Sequence, residues 1–170
     1  MKSKKNLVLI GMMASGKSTI GAYISKIIKF NFFDIDKIIE KKVNMTVGEI
    51  FKIKGEIFFR KLEEKITIKL LNTTDSVISL GGGGFINNTI RKESIEKCET
   101  FWLDWDINIL TNRIKKSKKR PIAEALNKIE LKKLIIKRSK IYSNAKYRIN
   151  CQHLNKFEIA NKIINLYENN

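Results

Sequence analysis

Apolar positions along this chain switch repeatedly between short solid runs and a spacing of three and four. Leu7-Val8-Leu9-Ile10, within Asn6 to Ile10, is the length of a buried strand, and Ile20, Ile24, Ile27 and Ile28 then fall on one face of a helix from Lys17 to Lys29. Asn31-Phe32-Phe33 reads as a second strand ending in Asp34-Ile35-Asp36, with a helical segment from Lys37 to Lys42. Thr46-Val47-Gly48-Glu49 is a capping box, whose threonine and glutamate side chains satisfy the free amides of a helix start carrying Ile50 and Phe51. Another helix follows Gly55, with Phe59, Leu62, Ile66 and Leu70 as its core face between Glu56 and Leu71. Ser76 to Leu80, Thr100 to Asp104 and Tyr147 to Cys151 are further strands; Asn87 to Cys98, 106 to 116, Asn127 to Asn144 and Asn155 to Tyr167 are further helices. Strands separated by helices pair in parallel, so the pattern predicts an α/β fold of three layers, α/β/α, around a five-stranded parallel sheet.

At 170 residues the expectation is a single domain over 1–170. No apolar run approaches the roughly 18 residues of a membrane span. Met-Lys-Ser-Lys-Lys stands directly before the first strand, leaving no room there for a signal segment, so a cytoplasmic location is expected. Cys98 and Cys151 lack a metal-type spacing and read as small buried hydrophobes, while His153 is the only histidine and has no catalytic neighbours in sequence. No oligomerisation motif is present, and a monomer is expected.

A net charge of +17 by itself suggests a nucleic-acid-binding protein. The residue choice changes that picture. Lysine supplies 28 of the 34 basic residues, isoleucine outnumbers valine 29 to 4 and asparagine occurs 16 times, the joint skew of an AT-rich coding sequence. Nucleic acid is therefore not the expected partner, although the charge would still draw in small anions. Against this background the six arginines, 60, 91, 113, 120, 138 and 148, mark positions where a planar bidentate fork serves better than an ammonium.

The chemistry starts at residues 11 to 19, GMMASGKST, which match G-x-x-x-x-G-K-[ST] between a strand and a helix. In such a P-loop Gly11 and Gly16 allow the backbone to turn its amides toward phosphate oxygens, and the helix N-terminus adds partial positive charge. Lys17 would reach the β- and γ-phosphates, and the Ser18 hydroxyl would ligate Mg²⁺. Alternation would put Asp34 and Asp36 on one side of an extended chain at a strand's C-terminal end; the alternative is that Asp36 caps the next helix and Asp34 is solvated. Arg60 and Glu63 lie three apart and can pair on a helix face. The run Gly81-Gly82-Gly83-Gly84 implies a close backbone approach to a ligand or to the P-loop. The strand before it lacks a terminal acid, which makes Asp34 the candidate carboxylate for Mg²⁺. Trp102 and Trp105 read as packing residues. Lys115 to Pro121 places five positive charges ahead of the only proline, as expected of a basic loop that closes over a γ-phosphate.

Taken in order, GMMASGKST, FFDID, F-F-R-x-x-E at Phe58 to Glu63, SLGGGG at Ser79 to Gly84, Arg120-Pro121 and KRSKIY at Lys137 to Tyr142 resemble the shikimate kinases, P-loop kinases of the nucleoside monophosphate kinase structural superfamily. The resemblance implies ATP and shikimate as partners and Mg²⁺ as cofactor, with the γ-phosphate passing to the 3-hydroxyl to give shikimate 3-phosphate on the route to chorismate and aromatic amino acids. It further implies a substrate-binding helical region at about 34–62 and a mobile lid at about 114–126. Ala14, Ser15, Gly16, Lys17, Ser18 and Thr19 would hold the phosphates, with Ser18 on the metal and Asp34 reaching it through water. Asp36 would bind the shikimate hydroxyls and take the proton of the attacking one. Arg60 and Arg138 would grip the carboxylate beside the amides of Gly81, Gly82 and Gly83. Arg120 would come down with the lid, and Arg113 would stack beside adenine.

Two positions depart from the family's pattern. Ala14 stands where glycine is usual and requires a negative φ there, and Lys156 replaces a proline that often flanks the base. The alternatives are another small-molecule kinase of this fold, such as a gluconate or nucleoside monophosphate kinase, and a basic nucleic-acid-binding P-loop protein.

Overall fold

The computed structural model describes residues 5–116 and 126–169. Five parallel strands, β1 (Leu7–Ile10), β2 (Asn31–Asp34), β3 (Ser76–Ser79), β4 (Glu99–Asp104) and β5 (Tyr147–Asn150), form one sheet in the order β2-β3-β1-β4-β5. Its helices among the described residues are α1 (Lys17–Ile28), α2 (Ile35–Val43), α3 (Val47–Ile53), α4 (Gly55–Leu71), α5 (Asn88–Lys97), α6 (Ile107–Lys116), α7 (Lys128–Tyr142) and α8 (Lys156–Glu168). The three-layer α/β expectation holds. β1 is buried at every residue because it lies in the middle of the sheet: Leu7 and Leu9 pack with α1 and α8 on one side, Val8 and Ile10 with the remaining helices on the other.

The chain leaves β1 toward β2 and leaves β4 toward β5, on the opposite side. Right-handed crossovers then put α1 on one face and α6 and α7 on the other, opening a crevice at the carboxyl end of β1, where such sheets bind ligands.

Several local expectations shift. β2 ends at Asp34 and α2 begins at once, so Asp36 lies in the first turn of a helix and not on extended chain. The cap of α2 is Asp34, whose Oδ1 accepts from the Lys37 amide at 3.2 Å; Asp34 is buried, not solvated. On α4 the buried line is Phe59, Glu63, Thr67 and Leu71, one position round from the apolar stripe. The helix turns Glu63 inward because α4 packs against α2, α3 and α5 at once, and its apolar residues Leu62, Ile66 and Leu70 flank that line half-buried. Ile27 of α1 is exposed, leaving Ile20 and Ile24 to face the sheet. The capping box at Thr46 and Glu49 forms as read from sequence.

Gly21 lets α1 sit close to the sheet. A Cβ there would fall 2.6 Å from Phe32 Cε2 and 3.1 Å from Leu9 Cδ1. Gly21→Ala should therefore destabilise the fold by about 1–3 kcal/mol through overpacking, although in an exposed helix the same change stabilises by about 1 kcal/mol. Urea unfolding measures the sign.

Candidate active site

The segment between β1 and α1 wraps back on itself. Gly16 caps α1 at φ 92° with no side chain on the helix's first amides, which leaves the positive end of the helix open to an anion. Lys17 is buried, and its ammonium donates to the carbonyls of Gly11 at 2.8 Å and Met12 at 2.9 Å. Gly11, at φ 148°, lies against the end of β4: a Cβ there would meet the Leu103 carbonyl at 3.0 Å. Ser15 donates its amide to Met12 at 3.2 Å, and its carbonyl accepts from the Trp105 indole at 3.0 Å. Ser18 is half-buried in the first turn of α1.

The requirement for a negative φ at Ala14 is not met. Its φ is 61°, in the left-handed region, where the methyl costs on the order of 1 kcal/mol. The turn closed by Ser15 onto Met12 and the indole's hold on the next carbonyl fix the backbone on either side of Ala14, so the loop keeps its path despite the methyl.

Beside this loop the glycines after β3 carry the close approaches expected of them. A Cβ on Gly82 would lie 3.0 Å from the Met13 amide nitrogen, so this strand end packs directly on the P-loop. One on Gly81 would fall 2.5 Å from Glu63 Oε1 and 2.6 Å from Asp36 Oδ1, and one on Gly83 would fall 2.5 Å from Arg60 Nη1. Three backbone positions thus gather residues from α2, α4 and the P-loop. From the other side α7 contributes Arg138, whose Nη1 donates to the Gly82 carbonyl at 3.3 Å, and Tyr142 one turn on, whose hydroxyl donates to the same carbonyl. Burial pushes the Tyr142 hydroxyl up to about 12, which keeps it a donor.

Arg60 is held on several sides. Glu63 Oε2 accepts from Nη1 at 2.6 Å, Glu56 Oε1 from Nε at 3.2 Å, and the rings of Phe59 and Phe51 lie 5.3 and 5.7 Å from the guanidinium carbon. Burial works against the guanidinium's charge, but the Glu63 and Glu56 carboxylates more than offset it and hold its proton more tightly than usual. The opposite happens at Glu63: burial pushes its pKa up, Arg60 restores only part, and nearby Asp36 adds to the rise. Glu63 Oε1 has no hydrogen-bond partner among the described residues.

The structure therefore brings together Lys17, Asp36, Arg60, Gly81, Gly82, Gly83 and Arg138 around the P-loop. Arg120, Pro121 and most of the lid at about 114–126 lie outside the described residues. Arg113 is exposed, with its guanidinium carbon 3.8 Å over the Trp105 ring, so Trp105 does more than pack. Lys156 is the first residue of α8 and lies over the Phe157 ring. Sequence reasoning gave Trp105 only a packing role and Tyr142 none of its own. Tyr142 could have been found from its four-residue spacing to Arg138; no sequence signal marks Trp105.

Two arginines beside the Asp36 and Glu63 carboxylates suit a small acid with hydroxyl groups, and the adjoining loop suits a polyphosphate. The family described as shikimate kinase matches residues 13–168. The shikimate kinase of Bartonella quintana is 36% identical over 167 residues, spanning 98% of this chain and 80% of that protein. Among solved structures, shikimate kinase from Acinetobacter baumannii in complex with shikimate aligns at a TM-score of 0.91 and 26% identity, covering 98% of this chain and 94% of that one. The enzyme from Aquifex aeolicus aligns at 0.85 and 32% identity, covering 96% of each.

Because Glu63 binds its proton more readily in the fold than in the unfolded chain, its contribution to stability is greatest below the ordinary value of 4.5 and is lost as pH rises through the raised one. Compared with Glu63→Gln, which cannot titrate, the wild-type chain should lose relative stability as pH rises above the ordinary value of 4.5. Urea unfolding of both proteins over that rise measures the difference; parallel curves would contradict it.

Proposed function

The chain belongs to the shikimate kinase family, and on that premise we propose that it transfers the γ-phosphoryl group of ATP to the 3-hydroxyl of shikimate, giving ADP and shikimate 3-phosphate. The observation that carries the acceptor assignment is the meeting of Arg60, Arg138, Asp36 and the glycine backbone beside the P-loop.

In this reading Arg60 and Arg138 take the shikimate carboxylate, where two forks fix its plane as well as its charge. The amides of Gly81 to Gly83 line the pocket, and only hydrogen on these α-carbons leaves room for the groups already packed there. Asp36 accepts from the shikimate hydroxyls and receives the proton of the attacking one. As that O–H bond breaks, the oxygen bonds to the γ-phosphorus and the bond from that phosphorus to the β,γ-bridging oxygen breaks, leaving ADP. Such transfer needs positioning and charge more than covalent help. Ala14 to Thr19 and Lys17 in particular neutralise the phosphates, Arg120 adds charge on the transferring group, and Arg113 lies against the base.

The residues offered there suit Mg²⁺: the Ser18 hydroxyl would be a hard oxygen ligand, and the Asp34 carboxylate, buried at the end of β2, would reach the ion through water. No group of three or more histidine, cysteine or acidic side chains gathers among the described residues, in keeping with an ion that takes one or two protein oxygens and phosphates for the rest. Bound there, the ion would neutralise charge on the β- and γ-phosphates. We read the protein as a cytoplasmic monomer; no helix among the described residues is long and apolar enough to cross a membrane.

A coupled assay with Mg²⁺, ATP and shikimate should show shikimate-dependent ADP release. Turnover with gluconate or a nucleoside monophosphate instead would overturn the assignment. Arg60→Lys keeps the charge but loses the fork and the contacts with Glu63 and Glu56, so KM for shikimate should rise by about tenfold or more with KM for ATP nearly unchanged. Equal effects on both would remove Arg60 from the carboxylate site.

A further inference from the structure

Trp105 stands just past β4, at the edge of the P-loop, and makes two contacts that meet in one side chain. Its indole N–H donates to the Ser15 carbonyl across 90 residues of sequence, and its ring lies 3.8 Å beneath the Arg113 guanidinium carbon. The first contact has a consequence one bond away. Peptide planes are rigid and no peptide bond described is cis, so the Ser15 carbonyl and the Gly16 amide point in opposite directions. An indole that draws the carbonyl toward the β4–α6 connection therefore turns the Gly16 N–H the other way. The same peptide follows Ala14, whose left-handed φ of 61° leaves the loop with strain to be held in check. The second contact orders an exposed side chain. A guanidinium held over one ring keeps its other face for a second planar ring.

We propose that Trp105 is a positioning residue for the nucleotide, setting the Gly16 amide for the phosphates through its N–H and presenting Arg113 to the base through its ring. This rests on the reading that the P-loop and Arg113 receive ATP. It assigns to one residue the register between the polyphosphate half and the base half of the nucleotide.

Equilibrium binding by calorimetry separates the two contacts, using inorganic tripolyphosphate as a probe of the loop alone and a non-hydrolysable ATP analogue as a probe of both halves. Trp105→Phe keeps a ring but loses the donor, and should weaken both probes about fivefold. Trp105→Leu loses ring and donor, and should weaken tripolyphosphate by the same factor but the analogue by about threefold more. Arg113→Met should weaken the analogue and leave tripolyphosphate unchanged. Shikimate binding should not move in any of the three. Wild-type affinity for both probes in Trp105→Phe would overturn the proposal, as would a loss shared equally by shikimate, which marks a merely structural role. Nucleotide binding is read here without turnover, so an enzyme that failed to phosphorylate shikimate would refute the acceptor assignment and leave the test of Trp105 standing.

Discussion

The packing beside the P-loop depends on three consecutive positions having no side chain. Gly81, Gly82 and Gly83 each touch a different neighbour: the carboxylates of Glu63 and Asp36, the backbone of Met13, and the guanidinium of Arg60. A methyl at any of them would fall within about 3 Å of a polar atom already in place. The strand end thus works as a spacer of fixed thickness between the P-loop and the helices that carry Asp36, Arg60 and Glu63. What it costs in chain entropy is offset by the contacts that fix it, including the two donors from α7 on the Gly82 carbonyl.

A second constraint is electrostatic. Arg60 sits half-buried and would be poorly solvated alone; Glu63 beneath it is nearly fully buried and supplies the counter-charge. The pair adds little net stability by the usual balance of Coulomb attraction against desolvation, and breaking it leaves a buried charge uncompensated. Its value lies in direction. The Glu63 and Glu56 bonds use Nη1 and Nε of the fork and fix the plane of the guanidinium.

Much of this was legible in the sequence because it rests on local rules. Strand and helix alternation, the capping box at Thr46, the P-loop spacing and the scarcity of arginine in a lysine-rich chain all report on short stretches whose chemistry is fixed by their own residues. The errors came where tertiary packing decides. Ala14 takes a positive φ because distant Trp105 and local turn closure hold the loop. The α4 stripe rotates by one residue because Glu63 serves Arg60 and faces inward. The two aspartates near residue 35 are not on one side of a strand, since capping by the first starts the helix that carries the second. Trp105 was read as filler because nothing in its own neighbourhood reveals a partner 90 positions away.

That last turn of chain between Asp34 and Asp36 carries a thermodynamic corollary. One carboxylate oxygen of Asp34 is tied to the Lys37 amide, one residue beyond Asp36, so the acid at the strand's end and the acid in the first helical turn belong to a single stiff unit. A ligand that drew the Asp34 carboxylate away from the Lys37 amide would loosen the first turn of α2, on which Asp36 sits. Linkage of this kind is reciprocal. For any pair of ligands that divides between these two acids, binding of one is therefore linked to binding of the other.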